Sequence, residues 1–179
     1  AVAHGDQASY TDQLAGVFCS LRTRGTKFLP DWEVAYGRLY VCSPFQRTTW
    51  YYFLGPGAWN SDFMGSEGGT GETLILGERW SAGALGFFNE RMWFGATYEY
   101  DGSEYKEFRQ RLRYSVAGNP ANVTDTAFID LDYTPGRIQR IIPLGNLLAV
   151  YLEDAIYLGR PNNITNLPLT FDRVQSGLV

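Results

Sequence analysis

Nineteen carboxylates and a single histidine set the terms for any chemistry in this chain. The histidine, His4, lies in a polar, poorly patterned start, and any Ser-His-Asp or Cys-His arrangement would have to use it. A polar terminal residue is the plainer reading. Metal binding needs several side chains converging. Asp130/Asp132 and Glu153-Asp154 are available for it, but the first pair reads as a strand face and the second as a hairpin turn. Glycoside hydrolysis needs two carboxylates at a set separation. Its nearest support is WNSDFMGSEGG, where Trp59 offers a stacking platform beside Asp62 and Glu67. The same stretch also reads as an ordinary connecting loop, and the sialidase pattern S-x-D-x-G-x-x-W is absent. Next to it, GSEGGTGET (Gly65–Thr73) approaches a phosphate-binding loop. Such a loop needs Lys before its Ser/Thr; here Glu72 stands where the cation is wanted and no helix follows, so it reads as a glycine connector. The expectation is a chain with no catalytic residue, no cofactor and no metal site, and hence no enzyme.

Cations offer a different route. Arg109, Arg111 and Arg113 alternate along one predicted strand, which puts them on one face. Arg137 and Arg140 follow nearby. Lining a channel, this stripe would touch passing phosphates. Facing solvent or an acidic neighbour, it is ordinary interface charge. The second reading is the plainer, because no aromatic platform is interleaved on the same face. The net charge of −4 supplies no overall field to attract nucleic acid.

The elements that must carry these residues are β-strands. Twelve Tyr, 11 Phe and 5 Trp suit pleated, half-buried surfaces, and 20 Gly suit frequent turns. No amphipathic helix stands out, and no apolar run reaches the roughly 18 residues of a membrane span. Three stretches repeat one plan of strand, tight turn, strand, turn, strand: Asp31–Gly55, Ala84–Ser115 and Gly136–Gly159. Their first turns are Tyr36-Gly37, Asn89-Glu90 and Gly145-Asn146, recurring at roughly 52–56 residues, a spacing expected of blade-type β repeats. A polar loop and a fourth β-like run follow each: Thr73–Leu76, Thr126–Leu131 and Leu167–Val174. The loops are GPGAWNSDFMGSEGGTGE, VAGNPANVTD and GRPNNITN. LLAVYL and TWYYFL are continuous apolar runs, as in strands covered on both faces.

The fold expected is therefore all-β: antiparallel four-stranded repeats forming a partial β-propeller of about three blades. Residues 1–30 read as a lead-in with the last strand of a preceding blade, and 31–80, 84–132 and 136–179 as the three repeats. Within the lead-in, GVFCSLRTRGTKFL reads as two strands and a turn. Cys19 and Cys42 fit no metal spacing and read as free thiols or, on neighbouring strands, as a pair. Three blades cannot close a ring, so the chain reads as an excised or processed arc that needs further blades.

The third repeat, GRIQRIIPLGNLLAVYLEDAIYLGRPNN with the strand ending FDRVQSG, resembles blades in the propeller-bearing nozzle, hub and head-completion proteins of short-tailed double-stranded DNA bacteriophages. In that family a blade reads "plgd.llvvf.e.siyll" before a short polar loop. The preceding RLRYSVAGNPANVTDTAFIDLD resembles the family's "r-i-x-y-S-x-x-G-x-P-x-x-W/V" stretch, which precedes a fourth strand, through Arg113, Tyr114, Ser115, Gly118, Asn119 and Pro120. The likeness spans roughly Leu85 to Val179. It implies a non-enzymatic structural component of a virion tail, part of a ring around the DNA conduit. Its partners would be other virion proteins and copies of itself, with non-specific contact to passing DNA and none to a membrane. Arg109, Arg111 and Arg113 would lie at an interface or channel wall. The competing expectation is a carbohydrate-binding or glycan-processing propeller using Trp59, Asp62 and Glu67.

Overall fold

The three first turns are built by residues forced into left-handed backbone. Tyr36 and Gly37 have φ of 49° and 72°, and Asn89 and Glu90 have 51° and 59°. Two consecutive positive φ values make the hairpin turn whose twist matches its strands. Gly145 opens the third turn at 61°. These turns fix the register of what flanks them.

The computed structural model describes residues 31–42, 50–53, 61–63, 80–100, 103–120, 122–131, 135–164 and 167–176. All regular structure among them is β, in three antiparallel sheets. The first holds β1 (Asp31–Ala35), β2 (Arg38–Cys42), β3 (Trp50–Phe53) and β4 (Ser61–Phe63), in that order. The second holds β5 (Trp80–Ser81), β6 (Ala84–Phe88), β7 (Arg91–Tyr100), β8 (Tyr105–Tyr114) and β9 (Phe128–Asp130). Here β5 and β6 pair with opposite ends of β7, like one interrupted first strand. The third is the meander β10 (Ile138–Leu144), β11 (Leu147–Leu152), β12 (Ala155–Ile164) and β13 (Leu167–Ser176).

The repeat plan and the three first turns hold in the structure. Two loop expectations do not. Ser61–Phe63, read as loop, pairs with Trp50–Tyr52 as the fourth strand of the first sheet. Thr73–Leu76, expected in that place, lies outside the described residues, as does the lead-in. In the third sheet β12 runs straight through Arg160–Ile164, where a polar loop was expected. Beyond Gly159 its ladder has β13 as partner but no longer β11, a setting that accommodates the missing N–H of Pro161. Asn162 Nδ2 donates to Thr170 Oγ1 across that hairpin at 2.8 Å.

The sheets stack face on face. Ala35, Tyr40 and Cys42 of the first sheet share a core with Leu85, Met92 and Phe94 of the second. The opposite face of the second sheet, including Ala84, Trp93, Leu112 and Tyr114, shares a core with Ile138, Ile141, Leu148, Val150 and Tyr157 of the third. The second sheet is thus covered on both faces, which is why Met92–Phe94 reads as an unbroken apolar run. Close approach at β6 depends on glycine. A Cβ on Gly86 would lie 2.6 Å from Ile141 Cγ2 and 3.0 Å from the Ile141 carbonyl oxygen. Gly86→Val is therefore expected to cost about 1–3 kcal/mol through overpacking, read as a lowered melting temperature. An unchanged melt would show that the two sheets have slack.

Candidate functional site

The arginine stripe sits on a distorted strand. Along the β7–β8 ladder Gly95 faces Leu112, yet Thr97 faces Phe108, so two steps on β7 meet four on β8. Ala96 lies at the irregularity with a φ of 53°, an uncommon conformation for a residue with a Cβ. Arg109, Gln110 and Arg111 occupy the extra length. Simple alternation is interrupted, and the three guanidinium groups end on different carboxylates.

Arg113 is only 4% exposed. Its Nε and Nη2 donate to the two Glu99 oxygens at 2.6 and 2.8 Å, and Nη1 reaches the Asp125 carbonyl at 3.1 Å. Arg111 makes the same two-point grip on Asp130, both bonds at 2.8 Å, and a longer one to Glu99 at 3.3 Å. The Thr97 hydroxyl donates to Glu99 at 2.6 Å. Burial works to raise the Glu99 carboxyl, but Arg113, then Thr97 and Arg111, outweigh it and hold its pKa below the usual carboxylate value. Burial likewise works to lower the Arg111 pKa, and Asp130 and Glu99 reverse it. Two-point Arg–carboxylate pairing is strong and orienting, so this cluster pins β7, β8 and β9 together.

The cluster also has an aromatic platform, one ring from β8 itself and one from β9. The Arg111 guanidinium lies 3.8 Å from the Phe108 ring centroid and 4.1 Å from that of Phe128. Phe128 stands opposite Arg113 across the β8–β9 ladder. Pairing between strands placed Phe128 there, and no spacing within β8 signals that ring.

Arg109 behaves differently. It is half-exposed and meets Glu153 of the third sheet at 3.4 Å. Glu153 also accepts from the backbone N–H of Arg137 at 3.0 Å, and Arg137 pairs with Glu107 of β8. These charges join the second sheet to the third. Arg140 of β10 reaches farther, donating to Asp31 Oδ1 of β1 at 2.7 Å. Asp31 Oδ2 accepts from the Leu85 N–H of β6 at 2.9 Å. One carboxylate therefore ties the first strands of all three sheets. Neither Asp31 nor Glu99 stood out as functional in the sequence. The signal for Glu99 was a lone acid inside the aromatic strand MWFGATYEY, where burial demands a partner.

Of the remaining expected site residues only some are among the described residues. Asp62 lies on β4 opposite Tyr51, while Trp59, Glu67, His4, Asp132 and Gly65–Thr73 fall outside the described residues. Cys42 is a buried free thiol, its pKa raised by burial and then by Asp31; Cys19 lies outside the described residues. Among the described residues no three His, Cys, Asp or Glu side chains are placed to hold a metal ion, and no helix is long and apolar enough to cross a membrane. A cavity of about 370 Å³ opens beside Arg91, Tyr114, Ser115, Thr124 and Thr126. Arg91 closes one side by donating to the Ser115 carbonyl at 2.7 Å. No protein-family model matches this chain, and no curated protein sequence matches it.

Proposed function

We propose that the three sheets are consecutive blades of a β-propeller, and that the chain is a structural component of a phage virion tail, an arc of a ring around the DNA conduit. The observation that supports this reading is the change in side-chain size across the contact of the second and third sheets. At the first strands the backbones approach closely, Ile141 of β10 on Gly86 of β6, with Asp31 bonded to both β6 and β10. Farther out, the space between the same two sheets takes rings: Phe171 of β13 stands 6.2 Å from Trp93 of β7, and Trp93 5.2 Å from Tyr114. Small residues at one side and aromatics at the other suit sheets that splay from their first strands, as radial blades do. The virion setting rests on the resemblance of Leu85–Val179 to short-tailed phage proteins. In this reading Arg109 is the stripe member with solvent exposure left to meet a neighbour or a passing phosphate, while Arg111 and Arg113 hold their own blade together.

Mass spectrometry of virions purified from the source tests the reading. The expected result is this chain's peptides in the particle, at the several copies per tail that a ring requires. Peptides confined to the host cell fraction would overturn it. Glycan turnover abolished by Asp62→Asn or Glu67→Gln would instead establish the carbohydrate alternative.

A further inference from the structure

Both sheet-on-sheet contacts in this chain use the same positions, counted from the first turn. The residues four before, three after and five after the first turn residue face the preceding sheet. They are Leu85, Met92 and Phe94 in the second sheet and Ile141, Leu148 and Val150 in the third. The residues one before and four and six after face the following sheet. They are Ala35, Tyr40 and Cys42 in the first sheet, and Phe88, Trp93 and Gly95 in the second. The stack is thus head-to-tail, one kind of face always meeting the other kind.

Among the described residues, the first and third sheets each leave one face without a partner sheet, and these faces are of opposite kinds. The first sheet presents the face that meets a predecessor, with Trp32 at 60% exposure, Leu39 half-buried and Val41 buried, and Val34 exposed beside them. The third presents the face that meets a successor, with Ile142 at 41% exposure, Leu144 exposed and Tyr151 half-buried. Apolar residues exposed on two matching sheet faces are more than a scatter of surface side chains.

We infer that a second copy of this chain seats the Trp32 face of its first sheet on the Ile142 face of the third sheet, continuing the interface that already joins sheets within the chain. The inference rests on the blade reading above and names the partner surface. The register follows from the repeat. Gly86 meets Ile141 inside the chain; the corresponding positions are Ile142 in the third sheet and Trp32 in the first. Ile142 of one copy therefore faces Trp32 of the next, at a wider spacing than the glycine contact inside the chain, because both side chains must fit between the sheets. Such a contact is heterologous, so repetition gives a ring if the rotation closes and a filament if it does not.

The test uses the full 179-residue chain carrying Cys19→Ser, with Cys42 left buried. Trp32→Cys and Ile142→Cys proteins are treated with a short bismaleimide, alone and mixed. Covalent dimer in the mixture, well above either protein alone, is the expected result. Dimer formed as readily by one variant alone would mean a two-fold contact between like faces and overturn the inference. No dimer, with a monomer at all concentrations in sedimentation, would overturn it too. In the cysteine-intact protein, Ile142→Lys and Trp32→Ala are each expected to weaken self-association by about tenfold or more, as for a central apolar anchor, without moving the melting temperature of the monomer. Detection in virions without the Trp32–Ile142 link would leave the structural reading standing and remove this one; the link without virion peptides would do the reverse.

Discussion

Leu148→Asp and Val150→Asp proteins are expected to be largely unfolded at room temperature. Both side chains are fully buried in the core between the second and third sheets. An aspartate there has no cation within the apolar cluster, and burying an unpaired charge costs several kcal/mol or forces the group to take up a proton. A domain holds together by only about 5–15 kcal/mol, so the loss is a large share of the whole. Leu148→Met, which nearly conserves volume, is expected to cost less than about 1.5 kcal/mol and serves as the control. Loss of near-ultraviolet circular dichroism and of the cooperative melt in the aspartate variants, with both kept in the methionine variant, checks this. Aspartate proteins melting near the parent temperature would refute the burial.

Glu99→Gln is the second large effect. The substitution keeps the shape and removes the charge that Arg113 and Arg111 grip. Breaking a buried pair from one side leaves the other charge uncompensated, at a cost of about 3–5 kcal/mol. Thr97 loses its acceptor oxygen or must share it. Replacing Arg109 in the exposed pair with Glu153 is expected to cost no more than about 1 kcal/mol, so the two arginines separate a structural cluster from a surface contact. The pH dependence has a definite sign. The Glu99 carboxyl has a lowered pKa in the fold, so its stabilisation is complete above the unfolded carboxylate value of about 4.3 and is lost as pH falls through the lower folded value. Chemical denaturation from pH 7 to pH 3 should show the parent's midpoint falling below about pH 4.3, with a shallower fall in Glu99→Gln. Equal acid slopes would remove Glu99 from the account.

Arg113 and Phe128 show where strand reading ends. Alternation along β8 marks Arg109, Arg111 and Arg113 as a stripe, and nothing in that strand tells whether their partners are phosphates or carboxylates. Glu99, Asp130 and Phe128 arrive from β7 and β9 through cross-strand pairing. The irregular ladder at Ala96 then redirects Arg109 to the third sheet. Partner choice of this kind depends on register, and register depends on the whole sheet.

Local chemistry in the sequence determined the three first turns, because Tyr36-Gly37, Asn89-Glu90 and Gly145 are followed and preceded by apolar runs that can only pair as hairpins. It determined the strand plan of β1–β2, β6–β7 and β10–β11 for the same reason. LLAVYL, expected to be covered on both faces, is covered by the second sheet at Leu148, Val150 and Leu152, whereas on the other side Leu147 and Tyr151 are only half-buried, because an apolar run does not by itself supply a second partner sheet. Only the tertiary structure decided that Ser61–Phe63 is a strand and that Arg160–Ile164 continues one, since polar segments take strand form when a neighbour offers its ladder. It alone decided which face of each sheet meets which neighbour, and that Asp31, distant in sequence from both Leu85 and Arg140, holds all three first strands. Turns are written by residues next to one another, whose backbone preferences act at short range. Sheet stacking and charge partners are set by residues far apart in the chain, which meet only once every strand is in place.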